Sequence, residues 1–253
     1  MITINNVSHH IDHTPILNNI SLSLEDAQVI ALIGPNGAGK STLFSVMSRL
    51  QPLQSGSVQF GEYDIAHTDS KVMAKTVAIL AQSNQLQGRL RVEELLMFGR
   101  YPYHQGRPTP ADRQKVAEII QKFELQDMAD RYLSTLSGGQ QQRVLIAMIV
   151  CQDTPYLLLD EPLNNLDMYH SGQLMRALRS LAHEQKKTVV IVLHDINQAA
   201  QFADTVVMMK AGQVIQTGHP IEVITQETIQ DLYGVKATVI EHKGYPVIID
   251  SRV

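Results

Sequence analysis

The chain has 253 residues, of which 44% are hydrophobic and 18% charged, and its 21 Lys and Arg against 25 Asp and Glu give a formal net charge of −4. This composition excludes a disordered chain, a strongly basic nucleic-acid-binding surface and a polybasic membrane anchor. The single cysteine, Cys151, excludes an intrachain disulfide, and no apolar run approaches the ~18 residues expected of a membrane-spanning helix. The first residues lack the pattern of a signal peptide, so none is expected.

The first third of the chain is predicted to alternate strands with one helix. A helical pattern over 41–50 follows a glycine-rich turn at 34–39 and is ended by Pro52. Apolar residues that alternate or run together predict strands at 2–4, 20–24 and 29–33, and a pair of strands around 57–63 and 77–80.

From residue 91 the pattern becomes mostly helical, and after Pro155 strands and helices alternate again. The helices predicted before Pro155 are 92–100, 110–123, 126–132 and 138–151. The elements predicted after it are strand 156–160, helix 170–185, strand 188–193, helix 197–202, a hairpin of 206–210 with 213–217, helix 220–233 and weak strands within 236–250. This order predicts an α/β fold with a largely parallel sheet. We expect one domain over 1–253, with a core of 1–82 and 156–253 and a helical insertion at 83–155.

A phosphate-binding loop is predicted at 34–41, where G-x-x-x-x-G-K-[ST] stands between an apolar strand and a helix. Backbone N–H groups of such a loop turn towards phosphate oxygens, and the helix adds its positive N-terminal dipole. Lys40 is expected to bridge the β- and γ-phosphates, Ser41 to offer its hydroxyl to Mg²⁺, and Thr42 to lie near the α-phosphate. The other residues of the expected nucleotide site are Gly34, Pro35, Asn36, Gly37, Ala38 and Gly39.

Two further segments carry chemistry. The apolar run 156–159 ends in Asp160 and Glu161, which strand alternation would place on opposite sides of the chain. That arrangement suits Asp160 as a Mg²⁺ ligand and Glu161 as the residue that faces the attacking water. In the segment 136–143, Ser137 is predicted to cap a long helix, and the two glycines after it allow a backbone or a phosphate to approach. Its position leaves open whether it serves the same nucleotide as Lys40 or one held by another subunit.

Together these motifs resemble those of the ATP-binding cassette (ABC) ATPases over nearly the whole chain. The matching segments are the Walker A loop at 34–41, the Q-loop residue Gln82, the signature LSGGQ at 136–140, Walker B with the catalytic glutamate at 157–161, the D-loop at 165–167 and the switch histidine His194. The resemblance implies a P-loop NTPase core with a mostly parallel sheet, an N-terminal antiparallel β subdomain and an inserted helical subdomain.

The resemblance also implies a head-to-tail homodimer with ATP and Mg²⁺ between the subunits. The implied catalytic residues are Glu161, His194, Gln82 and Lys40, and the implied metal ligands are Ser41, Gln82 and Asp160. The loop of one subunit would face Ser137, Gly138, Gly139 and Gln140 of the other, with Asp167 also at the nucleotide. Ile11 stands where the family usually stacks an aromatic residue on adenine, so discrimination between bases is expected to be loose.

Three segments, 98–103, 162–167 and 194–197, are similar to ATPases of ferric-siderophore importers, and 99–107 and 153–171 are nearest to petrobactin- and vibriobactin-type catecholate systems. This similarity implies a peripheral subunit at the cytoplasmic face of the inner membrane. It would drive transmembrane permease subunits through a groove beside Gln82 and the helices near 92–105. A substrate-binding protein would take part indirectly, with no nucleic acid and no direct contact with the siderophore. The alternatives are import of haem, cobalamin, manganese or zinc, a soluble ABC ATPase and a non-catalytic nucleotide sensor.

Overall fold

The computed structural model describes residues 1–82, 89–164 and 166–250. Of residue 250 only the backbone is described. The strands are β1 (Ile2–Ile11), β2 (Thr14–Leu24), β3 (Val29–Ile33), β4 (Ser55–Phe60), β5 (Tyr63–Asp64), β6 (Val77–Leu80), β7 (Tyr156–Asp160), β8 (Thr188–Val192), β9 (Thr205–Lys210), β10 (Gln213–Gly218), β11 (Ala237–His242) and β12 (Tyr245–Asp250). The α-helices are α1 (Lys40–Met47), α2 (Ser70–Thr76), α3 (Val92–Gly99), α4 (Tyr101–His104), α5 (Pro110–Lys122), α6 (Gly138–Cys151), α7 (Met168–Gln185), α8 (Ile196–Phe202), α9 (Pro220–Val223) and α10 (Gln226–Tyr233).

The core sheet has the strand order β10-β9-β3-β8-β7-β6 and is parallel except for the β9–β10 hairpin. Strands β3, β7 and β8 are buried at every position, because both faces of the sheet are covered. The predicted largely parallel sheet is therefore confirmed. Since the carboxyl ends of parallel strands share one edge, the residues that follow β3, β7 and β8 meet there.

A second sheet, in the order β2-β1-β4-β5, is antiparallel throughout and covers one side of the core. Its inner face carries Ile2, Ile4 and Val7 from β1, and these belong to the same buried apolar cluster as Phe44 and Met47 of α1. The expected N-terminal antiparallel subdomain is confirmed. The end of β1 reaches the phosphate-loop edge of the core sheet, so Ile11 lines a cleft there.

The helical insert consists of α3 to α6 and packs on the core sheet through a second apolar cluster. Leu95 and Leu96 of α3 and Val144 and Ala147 of α6 are buried in it. The division of the chain at 82/83 and 155/156 stays a prediction, and residues 83–88 lie outside the described ranges. Within those ranges, no helix is both long and apolar enough to cross a membrane.

Three sequence predictions of secondary structure are wrong. The expected helix 126–132 is only a 3₁₀ turn, Gln126–Met128, because Tyr132 forms a β-bridge with Arg91 instead of continuing a helix. The expected helix 220–233 is two helices, since the chain leaves helical geometry after Val223 and Thr225 caps α10. The expected strand pair 57–63 and 77–80 does not exist, because β4 joins the N-terminal sheet and β6 the core sheet. The short helices α2 and α4 were not predicted.

A buried ion pair joins the helices of the insert. Arg100 Nε donates to Asp112 Oδ1 at 3.1 Å, and Arg100 Nη1 donates to the carbonyl oxygen of Cys151 at 2.9 Å. Burial would raise the pKa of Asp112, but hydrogen bonds from Thr109 and Arg100 outweigh it and lower that pKa from 3.8 to about 2. The carboxylate is therefore ionised and holds α5 to the end of α3.

Asp112→Asn is expected to lower the free energy of unfolding by about 3 kcal/mol, because it leaves the buried Arg100 guanidinium without its counter-charge. Urea denaturation at pH 7 measures this, with the exposed Glu118→Gln on the same helix as a control expected within about 0.5 kcal/mol of wild type. Since the pKa is lower in the folded protein, this stabilisation is present above about pH 4 and lost as the pH falls towards 2. A gap between wild type and variant that is as wide at pH 3 as at pH 7 would contradict this assignment.

Candidate functional site

The phosphate loop joins β3 to α1 and is held tightly between the two sheets. Gly34 has φ +151°, and a Cβ there would lie 2.1 Å from the carbonyl oxygen of Met209 in β9. Gly39 has φ +98°, and a Cβ there would lie 2.9 Å from Leu17 Cδ2 in β2. Only glycine fits both positions, which explains their places in the motif. These close contacts fix the position of the loop, which lies at the N-terminus of α1.

Lys40 begins α1, and its side chain turns back into the loop. The residue is 5% exposed, and Nζ donates to the carbonyl oxygens of Gly34 at 2.8 Å and Pro35 at 3.1 Å. Burial lowers the pKa of this ammonium, while Glu161 and Asp160 oppose that shift. A positive charge is thus placed at the centre of a loop suited to phosphate oxygens.

Glu161 is the best-anchored carboxylate of the site. Its Oε2 accepts hydrogen bonds from Gln82 Nε2 and Asn164 Nδ2, both at 2.8 Å, and its Oε1 pairs with His194 Nε2. Burial would raise its pKa, but the hydrogen bonds from Asn164, His194 and Gln82 lower it. Glu161 is therefore an ionised base whose position is set by three side chains from separate segments.

The sequence suggested that strand alternation places Asp160 and Glu161 on opposite sides of the chain, but a different feature of the backbone separates them. Strand β7 ends at Asp160, and Glu161 has φ +49°, in the left-handed region. The turn thus leaves Asp160 in the buried strand and directs the chain away from it. The two acids do differ in environment, as two separate roles require.

Asp160 is 6% exposed, and its Oδ1 is buried with no hydrogen-bond partner among the described residues. Burial and the Glu161 carboxylate raise its pKa to about 6, against the opposing effect of His194 and Lys40. An unpaired buried carboxylate oxygen is a donor that a hard cation satisfies. With the exposed hydroxyl of Ser41 in the first turn of α1, these oxygen donors fit Mg²⁺.

A cleft of about 390 Å³ brings most of the predicted residues together. It is lined by Ile11, Ile16, the residues 36–42, Gln82, Glu161 and His194. Phosphate loop, base and histidine therefore share one cavity, with Ile11 at its rim and 42% exposed.

The signature residues lie elsewhere, in a second cavity of about 550 Å³ that shares no lining residue with the first among the described residues. Ser137 caps α6 as predicted: its Oγ accepts from Gln140 N at 3.3 Å, and Gln140 Oε1 accepts from Ser137 N at 3.0 Å. Asp167 lines the same cavity and caps α7 by accepting from His170 N at 2.8 Å. Residue 165 of the D-loop lies outside the described residues.

Sequence reasoning assigned no role to two side chains that the structure places at these cavities. Asn164 donates a hydrogen bond to Glu161. The only sign of this role in the sequence was an amide side chain three residues after the acid. Arg143 lines the signature cavity, with its buried Nε unpartnered among the described residues. Nothing in the sequence pattern distinguished Arg143 from an ordinary helix residue.

Comparison with known proteins agrees with this geometry. The family model for ABC transporters matches residues 17–164. The chain belongs to the ABC transporter ATPase family. It is an ATP-binding protein and an ATPase, as the motifs predicted. Members of this family dimerise and pair with permeases.

Two curated relatives and one solved structure illustrate the similarity. The chain is 44% identical to the petrobactin import ATP-binding protein YclP of Bacillus subtilis (strain 168), over 93% of each chain. It is 36% identical to the hemin import ATP-binding protein HmuV of Bordetella parapertussis, over 92% of this chain and 91% of that protein. The dimeric structure of MJ0796, a bacterial ABC transporter cassette, is 28% identical with a TM-score of 0.77, covering 87% of this chain and 98% of that one.

Ile11→Tyr is expected to lower the Kd for MgATP about five-fold, since an added stacking contact on the base is worth about 1 kcal/mol. GTP should gain by a similar factor, because every base offers a π-face. Equilibrium binding of both nucleotides measures this, with Ile221→Tyr as a control at an isoleucine that is equally exposed but lies outside the cleft lining. Unchanged affinity in Ile11→Tyr would remove the adenine from this edge of the cleft.

Proposed function

We propose that this ATPase powers import of iron–siderophore complexes through a partner transmembrane permease, acting as a head-to-tail homodimer. The cargo class is supported by the 44% identity to a petrobactin import ATP-binding protein over nearly the full length of both chains. ATP turnover is supported by the geometry around Glu161, where three donors hold an ionised carboxylate in the same cleft as the phosphate loop.

In this proposal each residue of the cleft has one task. Lys40 neutralises charge on the β- and γ-phosphates, and the loop backbone cradles them. Glu161 accepts a proton from the attacking water, and His194 contacts the γ-phosphate while holding Glu161. Gln82, bonded to the same carboxylate, registers the state of the site for the rest of the protein. Mg²⁺, held by Ser41 and Asp160 with Gln82 nearby, would supply charge stabilisation at the phosphates.

Dimerisation is supported by the separation of the two cavities. The signature residues and the phosphate loop line different cavities of the same chain, as expected if each cavity forms half of a nucleotide site that a second subunit completes. Two copies related by a two-fold axis bring the loop of each against the signature of its partner. Asp167 then stands beside Ser137 at the partner's nucleotide.

A surface for the permease is supported by an apolar groove next to the insert. The groove, of about 300 Å³, lies between α1, α2 and β6. Gln152 also lines it and donates to the carbonyl oxygen of Ala74 at 2.7 Å. Beyond α2, the short helix α4 and the end of α3 expose Phe98 and Tyr101. An apolar, aromatic surface of this kind suits a short helix of a membrane partner. The subunit would then act from the cytoplasmic face of the inner membrane.

Haem import is the second candidate for the cargo, because a hemin import ATP-binding protein is also 36% identical to this chain. The ATPase has no contact with the cargo in either case, so its own site does not separate the two. Cobalamin and metal ions remain competitors in the same class. A soluble ABC ATPase would differ in having no membrane partner.

Uptake of radiolabelled cargo tests the proposal. A strain lacking this ATPase and redundant ones is offered siderophores and haem loaded with radioiron, and cobalamin labelled with radiocobalt, and is complemented with wild type or Glu161→Gln. Loss of uptake of one siderophore, restored by wild type alone, supports the proposal. Normal siderophore uptake with loss of haem uptake would replace siderophore with haem, and recovery of the protein only in the soluble fraction would contradict transport.

A further inference from the structure

A third cavity, of about 250 Å³, lies where the helical insert meets the core. It is formed by the end of α5, the first half of α6 and the middle of α7, and in the part of the chain that the structure describes it shares no lining residue with the nucleotide cleft. Lys122, Arg143 and Arg176 line it, against the single carboxylate of Glu124. The cavity therefore carries an excess of positive charge.

These three cations are not neutralised within the described part of the chain. None of them forms an ion pair or a hydrogen bond there, and the buried Nε of Arg143 is without an acceptor. Glu124, the one carboxylate among the described lining residues, accepts from the amide of Gln173 at 3.3 Å. A buried donor left unpaired is costly, so an acceptor that enters the cavity is favoured.

The surroundings of Lys122 favour an anion as well. Burial lowers the pKa of Lys122, Glu184 opposes this, and Lys115 and Lys187 lower it further. Lys115 and Lys187 already share the carboxylate of Asp153, with Nζ to Oδ1 distances of 3.2 Å and 2.9 Å. Lys122 itself forms no ion pair within the described residues, so its ammonium is free to pair with a negative ligand, and Glu184 helps to keep it charged.

We propose that this cavity binds a small oxyanion of the phosphate class, either inorganic phosphate or a small phosphate monoester. Guanidinium groups bind such oxygens through paired N–H donors, and an ammonium adds a point charge. A cavity of about 250 Å³ has room for a hydrated phosphate. A bound anion joins α5 and α6 of the insert to α7 of the core, and Arg143 connects it to the signature cavity.

Thermal unfolding of the protein saturated with MgADP tests the site. Potassium phosphate, compared with potassium chloride at equal ionic strength, is expected to raise Tm by about 3 °C. The double variant Lys122→Gln/Arg176→Gln should lose this shift, relative to its own baseline. Arg113→Gln/Arg179→Gln removes the same charge from the same two helices outside the cavity lining and should keep it.

The variants separate this cavity from the phosphate loop, which neither of them touches. An equal shift in all three proteins, or none in wild type, would overturn the proposal. Acetate at the same concentration is expected to give no shift, and one as large as that of phosphate would overturn the phosphate class. Inorganic phosphate and glycerol phosphate are then compared, and the larger shift identifies the source of the ligand.

Discussion

Glu161→Gln is expected to lower ATP turnover about a thousand-fold while the Kd for MgATP stays within about three-fold of wild type. The amide has nearly the same shape as the carboxylate, so the loop and Lys40 are undisturbed. It cannot accept a proton from water, and its NH₂ group faces hydrogen-bond donors where the carboxylate accepted from them. Phosphate release and equilibrium nucleotide binding measure the two quantities separately.

The same variant should accumulate as an ATP-bound dimer, because the step that reopens the dimer follows hydrolysis. Size-exclusion chromatography with ATP is expected to show a dimer for Glu161→Gln and mainly monomer after turnover for wild type. Glu118→Gln, an exposed glutamate on α5, serves as the matched control and should behave as wild type. Unchanged turnover in Glu161→Gln would remove this residue from the chemistry.

The elements that sequence predicted well are those whose pattern is dictated by local geometry. The phosphate loop needs glycine at positions 34 and 39 because neighbouring atoms lie too close for a Cβ. A required glycine at a fixed spacing can be recognised in the sequence. Strands β3, β7 and β8 are apolar throughout because they are buried on both faces. The helix-capping role of Ser137 could be predicted for a similar reason, since a cap is a contact between residues that are close in the sequence.

What the sequence could not supply depends on long-range contacts. The helix expected at 126–132 was overridden by the bridge between Tyr132 and the distant Arg91. The hydrogen bonds of Glu161 to Gln82 and His194 join segments that lie far apart in the chain, so no local pattern contains them. The family resemblance named those residues, whereas the shared carboxylate that links them is visible only in three dimensions.

The proposed head-to-tail dimer predicts that two cysteine variants cross-link only when they are mixed. In the proposed dimer Asn36 of one subunit would face Ser137 of the other. Both residues are exposed in the single chain. Asn36→Cys and Ser137→Cys, each in the Glu161→Gln background with ATP, should not cross-link alone. When the two variants are mixed in equal amounts, up to about half of the dimers should cross-link. Random pairing in a two-fold dimer gives that share of dimers with one subunit of each variant.

The one natural cysteine does not interfere with this experiment. Cys151 is fully buried, and burial raises the pKa of its thiol to about 12, so almost no reactive thiolate is present. Non-reducing electrophoresis after a short bis-maleimide treatment reads the result, and nucleotide binding is checked in each variant. Glu118→Cys mixed with Ser137→Cys is the control and should stay monomeric on the gel. Cross-linking of either variant alone would indicate that identical surfaces of the two subunits are in contact. No cross-linking in the mixture would show that the phosphate loop and the signature segment are not in contact across the dimer, and would contradict a nucleotide site shared between subunits.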